Sequence, residues 1–169
     1  LPLARLQKFN WGEAEQLFDH QTKTFLLSLA PELAKRVFPI GVSPWVMLFR
    51  KGERWLPRAN SSWDVLLEPE LKGSVVLPES PHLIMALAEK MDAPDALREL
   101  RGQAFSFDDK NALNWLLSGE GRVAVLPLQR CLPTLIRDQR LSIALPQSGA
   151  PLHWTLLVRS ASSTEPLPR

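Results

Sequence analysis

Cysteine and histidine are scarce in this sequence, with one cysteine and three histidines among 169 residues. A single cysteine, Cys131, cannot form an internal disulfide, and nothing near it has the spacing of a zinc site. Its neighbours predict a half-buried thiol, and the histidines lie too far away in sequence to suggest a Cys–His nucleophile. Glycine-rich phosphate loops of the G-x-G-x-x-G or Walker type are also missing. We therefore expect no metal, no cofactor and no enzymatic activity.

An excess of charge of one sign is lacking too. Twenty Lys and Arg residues against 18 Asp and Glu residues give a formal net charge of +2, and the basic residues are scattered rather than clustered, so we expect no nucleic-acid partner. No apolar run approaches the roughly 20 residues that span a bilayer, and the N-terminus lacks the basic-then-apolar plan of a signal peptide. Because the sequence starts without methionine, we expect a processed product or a fragment of a longer protein.

What the sequence does contain is enough apolar residues for a core, 45% of the chain, divided into short segments by 15 prolines and eight glycines. Short apolar strands alternate with helical patterns, which predicts an α/β protein with an open sheet flanked by helices on both faces. The expected strands are Trp45–Phe49, Ser74–Leu77, Val123–Leu126, Leu141–Leu145 and His153–Val158, and Phe105–Phe107 is expected to be an extended piece. Helices are expected within 12–36, after Asn60–Ser62, over Pro81–Met91, over Asp92–Leu100, after a cap at Asp108, and over Leu128–Asp138.

Binding chemistry is expected at the carboxyl ends of the strands, where helix N-termini offer free N–H groups. After the second strand, Glu79 and Ser80 can present a carboxylate and a hydroxyl, although a plain helix cap with a solvated acid fits the same pattern. At the start of the helix after the expected strand Val123–Leu126, Gln129 either bonds a polar ligand or lies in an exposed first turn. Trp154 on the last strand either offers an aromatic wall or packs into the core.

Residues 62–77, SWDVLLEPELKGSVVL, resemble a stretch of the periplasmic solute-binding proteins of ABC transporters, closest to the spermidine/putrescine-binding family. Further similarity follows in order at 38–50, 79–82, 114–124 and 149–159. The resemblance spans about 38–160 and implies a lobe of the class II periplasmic-binding-protein fold, with an open mixed sheet. It corresponds to the second lobe, so the first lobe is expected to lie outside this chain.

The resemblance also implies a function and a domain division. The chain is expected to be the periplasmic, non-catalytic, monomeric component of an ABC importer that traps a small solute of polyamine type between two lobes and passes it to a membrane permease. Residues 1–37 are then a helical lead-in near the hinge, 38–160 the ligand-binding lobe, and 161–169 a flexible tail. Ser43 and Trp45, near the hinge, join the candidate ligand-binding residues.

Four departures from the family pattern support an alternative. Leu83 and Pro127 stand where the family places a glutamate and a tryptophan, Trp154 is not followed by the family's aspartate, and the chain has no tyrosine. A polyamine needs carboxylates for its ammonium groups and aromatic faces for its methylenes, so these replacements weaken such a site. The alternative is a protein-interaction or assembly module that has kept the fold and lost the ligand site.

Overall fold

The computed structural model describes residues 2–9 and 12–164, apart from the side chain of Glu13, so the predicted tail at 161–169 lies partly outside the described residues. Its α-helices are α1 (His20–Ser28), α2 (Pro31–Ala34), α3 (Leu56–Ala59), α4 (Pro81–Ala88), α5 (Ala96–Gln103), α6 (Ala112–Ser118) and α7 (Leu128–Arg137). Its strands are β1 (Val37–Arg50), β2 (Val75–Val76), β3 (Ala104–Ser106), β4 (Val123–Pro127), β5 (Leu141–Ala144) and β6 (Leu152–Val158). Short 3-10 helices cover Leu3–Arg5, Gly12–Leu17, Trp63–Leu67 and Pro69–Leu71.

The strands form one mixed sheet in the order β3-β2-β4-β1-β5, with β6 also paired to β1. Strand β2 runs parallel to both β3 and β4, whereas β1 runs antiparallel to β4 and β5. The predicted α/β class, an open mixed sheet flanked by helices, is confirmed. None of the helices described is both long enough and apolar enough to cross a bilayer.

Strand β1 is much longer than the predicted Trp45–Phe49, because it begins at Val37. Pro39, Gly41 and Pro44 make the added half look like a loop, since proline donates no ladder hydrogen bond. That half lies beside β6: a methyl group placed on Gly41 would sit 3.9 Å from the Cβ of Thr155. Pairing with a strand more than a hundred residues away therefore overrides the local signals.

Two helix predictions were wrong at their starts. The helix expected over Asp92–Leu100 begins at Ala96, because residues 92–95 form turns. Asp108 was expected to cap α6, but the residue at the cap position is Asn111, which makes no side-chain capping bond. Asp108 instead accepts the backbone N–H groups of Lys110, at 2.8 Å, and Asn111, at 3.4 Å, and so folds the turn that precedes the helix.

The core covers both faces of the sheet, because successive residues of a strand point to opposite sides. On β1, Met47 and Phe49 enter one apolar cluster while Val46 and Leu48 enter the other. The first cluster adds side chains of α3, α4 and α5, including the fully buried Leu87 and Leu100. The second cluster adds Ala112 and Leu116 of α6 and Cys131 of α7. The result is a sheet between two helical layers.

Contacts within the chain divide it into two compact units. Unit 2 comprises Ser43–His153 and contains both apolar clusters. Unit 1 comprises the described residues up to Val42 and from Trp154 onward. Here the Gln7 side chain donates to the backbone carbonyl of Ser163, at 2.9 Å, and Ala161 N–H donates to the carbonyl of Arg5, at 2.8 Å.

Candidate functional site

The carboxyl ends of β2, β3 and β4 lie at one edge of the sheet, because these strands are parallel neighbours. The antiparallel β1 brings its earlier residues to the same edge, where Trp45 pairs with Pro127. Polar side chains from four segments meet here, within unit 2. We call this set the strand-tip site: Ser43, Glu79, Asp109, Lys110, Gln129 and Arg130.

Glu79 and Ser80 follow β2 and lead into α4. Ser80 is the N-cap of α4, and its hydroxyl accepts the N–H of Leu83 at 3.4 Å, so its predicted capping role is confirmed. The Glu79 carboxylate lies 3.5 Å from the Lys110 ammonium, and both side chains are largely exposed. An exposed ion pair of this kind is worth at most about 1 kcal/mol. The carboxylate of Glu79 is therefore available to a competing cation.

Gln129 lies in the first turn of α7, and Ser43 fixes its position. The Ser43 hydroxyl accepts the backbone N–H of Gln129 at 3.0 Å, which satisfies one of the donors that a helix start leaves unpaired. Ser43 is only 5% exposed. Two of the predicted site residues, far apart in sequence, are thus in direct contact.

Asp109, which follows β3, contacts residues that follow the two other parallel strands: Glu79 after β2 and Arg130 after β4. It forms an ion pair with Arg130, whose guanidinium also donates to the Asp109 backbone carbonyl at 2.9 Å. A second Asp109 carboxylate oxygen lies 3.5 Å from the backbone N–H of Glu79. The neighbouring Asp108 accepts the side-chain amide of Asn111 at 2.7 Å, and this bond lowers the pKa of Asp108.

Sequence reasoning missed Asp109 and Lys110 as site residues. It treated Phe105–Phe107 as an extended piece, whereas residues 104–106 form strand β3 and lead into the turn that carries Asp109 and Lys110. The signal was the short alternating Phe-Ser-Phe run followed directly by two acids and a lysine.

The two candidate aromatic residues, Trp45 and Trp154, each contact another ring. Trp45 is 7% exposed and belongs to the core, with its ring edge-on to His153 at a centroid distance of 5.8 Å. Trp154 belongs to unit 1, where it stacks on Phe25 with ring centroids 4.2 Å apart. Trp154 is half-buried and belongs to neither of the two apolar clusters.

Cys131 is fully buried, so the predicted half-buried thiol was wrong. Burial raises the pKa of the Cys131 thiol to about 11, against a smaller opposing effect of Arg130. A thiol held protonated in this way is a poor nucleophile. Among the residues described, no three acids, histidines or cysteines are grouped so as to hold a metal ion.

The strand-tip site offers hydrogen bonds and local charges of both signs. Asp109 and Arg130 neutralise each other, as do Glu79 and Lys110 more loosely. The Ser43 and Ser80 hydroxyls are both engaged as acceptors of backbone N–H groups. Geometry of this kind suits holding a polar solute against the strand ends.

The fold is shared with solved structures of binding proteins. An ABC transporter structure from Clostridium perfringens matches with a TM-score of 0.67 and 16% identity, over 95% of this chain and 54% of that one. The spermidine/putrescine substrate-binding protein of Streptococcus pneumoniae gives a TM-score of 0.58 and 14% identity, over 94% and 52%. A ferric-binding protein of Campylobacter jejuni gives 0.63 and 16%, over 95% and 55%.

These comparisons establish the class of fold, that of the periplasmic substrate-binding proteins, and the chain spans about half the length of the solved structures it matches. No protein-family model matches the sequence, and neither does any curated protein.

Proposed function

We propose that this chain is the second-lobe part of an extracytoplasmic substrate-binding protein of an ABC importer, which holds a small solute at the strand-tip site without transforming it. The observation that carries the proposal is the convergence of Glu79, Gln129 and Ser43 at one sheet edge in a fold of this class. The ligand-binding lobe corresponds to 38–160, and the periplasm and a membrane permease are the matching location and partner. The first lobe, outside this chain, is proposed to complete the site.

The solute proposed is a polyamine. The Glu79 carboxylate is exposed and only loosely paired, so an ammonium group can replace Lys110 as its partner. One of the solved structures with this fold is a spermidine/putrescine-binding protein. Ser80 and the side-chain amide of Gln129 are the further polar groups proposed to contact the solute, with Trp45, which pairs with Pro127 at the same sheet edge, as a support behind them.

Titration with putrescine and spermidine, followed by backbone amide chemical shifts, tests the proposal even when a half-site binds weakly. We expect the largest shifts at Glu79, Ser80 and Gln129. Glu79→Gln is expected to weaken binding about threefold to tenfold, because one charge-assisted hydrogen bond at an exposed position is lost. Glu89→Gln, which removes the same charge from the far end of α4, is the matched control and is expected to bind normally.

The outcomes separate the possibilities. Shifts at these residues with an amino acid or inorganic phosphate, but not with polyamines, would keep the binding role and exclude the polyamine. The absence of chemical-shift changes with every solute would overturn the binding role.

The second candidate function is an interaction or assembly module. It is favoured by the Asp109–Arg130 ion pair, which neutralises a carboxylate that a polyamine would otherwise contact, and by Leu83 and Pro127 in place of polar and aromatic side chains. Leu83 packs against the core and Pro127 is buried. Recovery of one stable protein partner, with no chemical-shift response to solutes, would establish this function.

A further inference from the structure

A groove runs along α5 of unit 2 as far as α4 and is formed by two cavities of about 560 and 360 Å³, of which only the smaller is lined by residues of α4. Leu97, Arg101 and Phe107 line both cavities, so the two adjoin. Leu97 and Arg101 are one helical turn apart and therefore share a face of α5. We call this feature the α4–α5 groove and define it by these three residues together with Met85 and Gly102. Its volume is in the range of small-molecule sites.

The groove exposes large apolar side chains. Met85 is 48% exposed, Leu97 40% and Phe107 42%. Single exposed apolar residues are ordinary, but three that line connected cavities form a continuous apolar surface. Covering that surface with an apolar chain is favourable because it removes the surface from water. The groove is therefore suited to an apolar body.

The groove also holds one uncompensated charge. Among the lining residues, Arg98 pairs with Asp95 and Glu79 pairs with Lys110. The guanidinium of Arg101 forms no hydrogen bond and no ion pair with any residue in the described part of the chain. Because it lines both cavities, its guanidinium is within reach of a ligand in either one. A guanidinium matches a carboxylate with two parallel hydrogen bonds.

We propose that the α4–α5 groove binds an amphipathic carboxylate, whose apolar chain covers Met85, Leu97 and Phe107 and whose carboxylate pairs with Arg101. This site is additional to the proposed function, since neither Ser43 nor Gln129 lines it. The two sites approach each other only at Glu79, which lines the smaller cavity.

The probe is octanoate, titrated into the full chain and followed by chemical shifts of side-chain methyl groups and backbone amides. We expect shifts at Met85, Leu97 and Phe107, and much weaker binding of 1-octanol and octylamine, which have the same chain length without the negative charge. Arg101→Gln is expected to weaken octanoate binding at least about tenfold, the value of a charged hydrogen bond. Arg98→Gln, which breaks an exposed pair in the same groove, is expected to change it by less than about threefold.

A blocking variant tests the location independently of charge. A methyl group on Gly102 would meet no heavy atom within 4 Å, so Gly102→Leu is expected to fill the larger cavity and weaken octanoate binding without lowering the melting temperature. Octylamine binding as tightly as octanoate, unchanged binding in Arg101→Gln, or shifts confined to other regions would overturn the proposal. The chemical-shift changes that polyamines cause at the strand-tip site are measured in a separate titration. Failure of one proposal is therefore distinguishable from failure of the other.

Discussion

Cys131 faces the core between the sheet and α7, and its burial has a measurable effect at alkaline pH. The pKa of its thiol is raised from 9.0 to about 11 in the folded chain. Below pH 9 both folded and unfolded chains carry the protonated thiol. Between pH 9 and about 11 only the unfolded chain ionises, so the free energy of unfolding must fall as the pH rises through this range.

The prediction is that this alkaline loss of stability is smaller in Cys131→Ala, measured by urea unfolding at several pH values and compared as changes from each protein's own value at neutral pH. No tyrosine titrates in the same range to obscure the effect. The folded wild-type chain is also expected to resist a thiol reagent that modifies the unfolded chain. Rapid modification of the folded chain would contradict the burial of this thiol.

Ser43 gives a second prediction for a single residue. Ser43→Ala removes the acceptor of the Gln129 N–H, so we expect a loss of about 1 kcal/mol in the free energy of unfolding. Hydrogen exchange at the Gln129 amide is expected to accelerate. Ser43→Thr keeps the hydroxyl and is the control, with exchange close to that of the wild type. Unchanged exchange in Ser43→Ala would show that the bond does not hold the helix start.

Individual site residues were predictable only where the signal is local. Ser80 is a cap directly before a proline, and Gln129 comes two residues after the end of a strand, so both positions can be inferred from their neighbours. The Asp109–Arg130 pair joins residues 21 positions apart across two turns. The local sequence around Asp109 or Arg130 does not predict their ion pair. The two residues come together only because β2, β3 and β4 pair in parallel.

At the scale of elements, the sheet was predictable where strands are short and wholly apolar. Val123–Leu126 was predicted, and β4 occupies Val123–Pro127 with every residue buried. The first half of β1 was missed because its strand character depends on β6, not on its own composition. Likewise α5 starts four residues late, because residues 92–95 turn before the helix begins.

Substitutions of two glycines, Gly121 and Gly102, are expected to change the free energy of unfolding in opposite directions. A methyl group on Gly121, between α6 and β4, would lie 2.9 Å from Val76 Cγ2 in the core, so Gly121→Ala is expected to lower the free energy of unfolding by about 1–3 kcal/mol through overpacking. Gly102 lies inside α5 with open space around it. Gly102→Ala is expected to raise the free energy of unfolding by about 0.5–1 kcal/mol through helix propensity.

Chemical denaturation of both variants checks this pair. Equal effects of the two substitutions would contradict the close contact between Gly121 and Val76.

For the molecule as a whole, the distribution of the core predicts which part folds alone. Both apolar clusters lie within Ser43–His153. The buried aliphatic side chains described in unit 1 are Leu6, Leu26 and Val37. A polypeptide of residues 43–153 is therefore expected to unfold cooperatively, since a domain of about this size can bury its own core.

Circular dichroism and thermal melting of that polypeptide provide the test. A broad, non-cooperative transition would show that the core of unit 2 needs residues outside 43–153.

The strand order has a further consequence for behaviour in concentrated solution. The series β3-β2-β4-β1-β5 ends in strands of three and four residues. Edge strands this short expose few unpaired backbone groups. A strand of a neighbouring molecule can therefore form few hydrogen bonds with them. The purified protein is therefore expected not to form fibres by intermolecular strand pairing at β3 or β5.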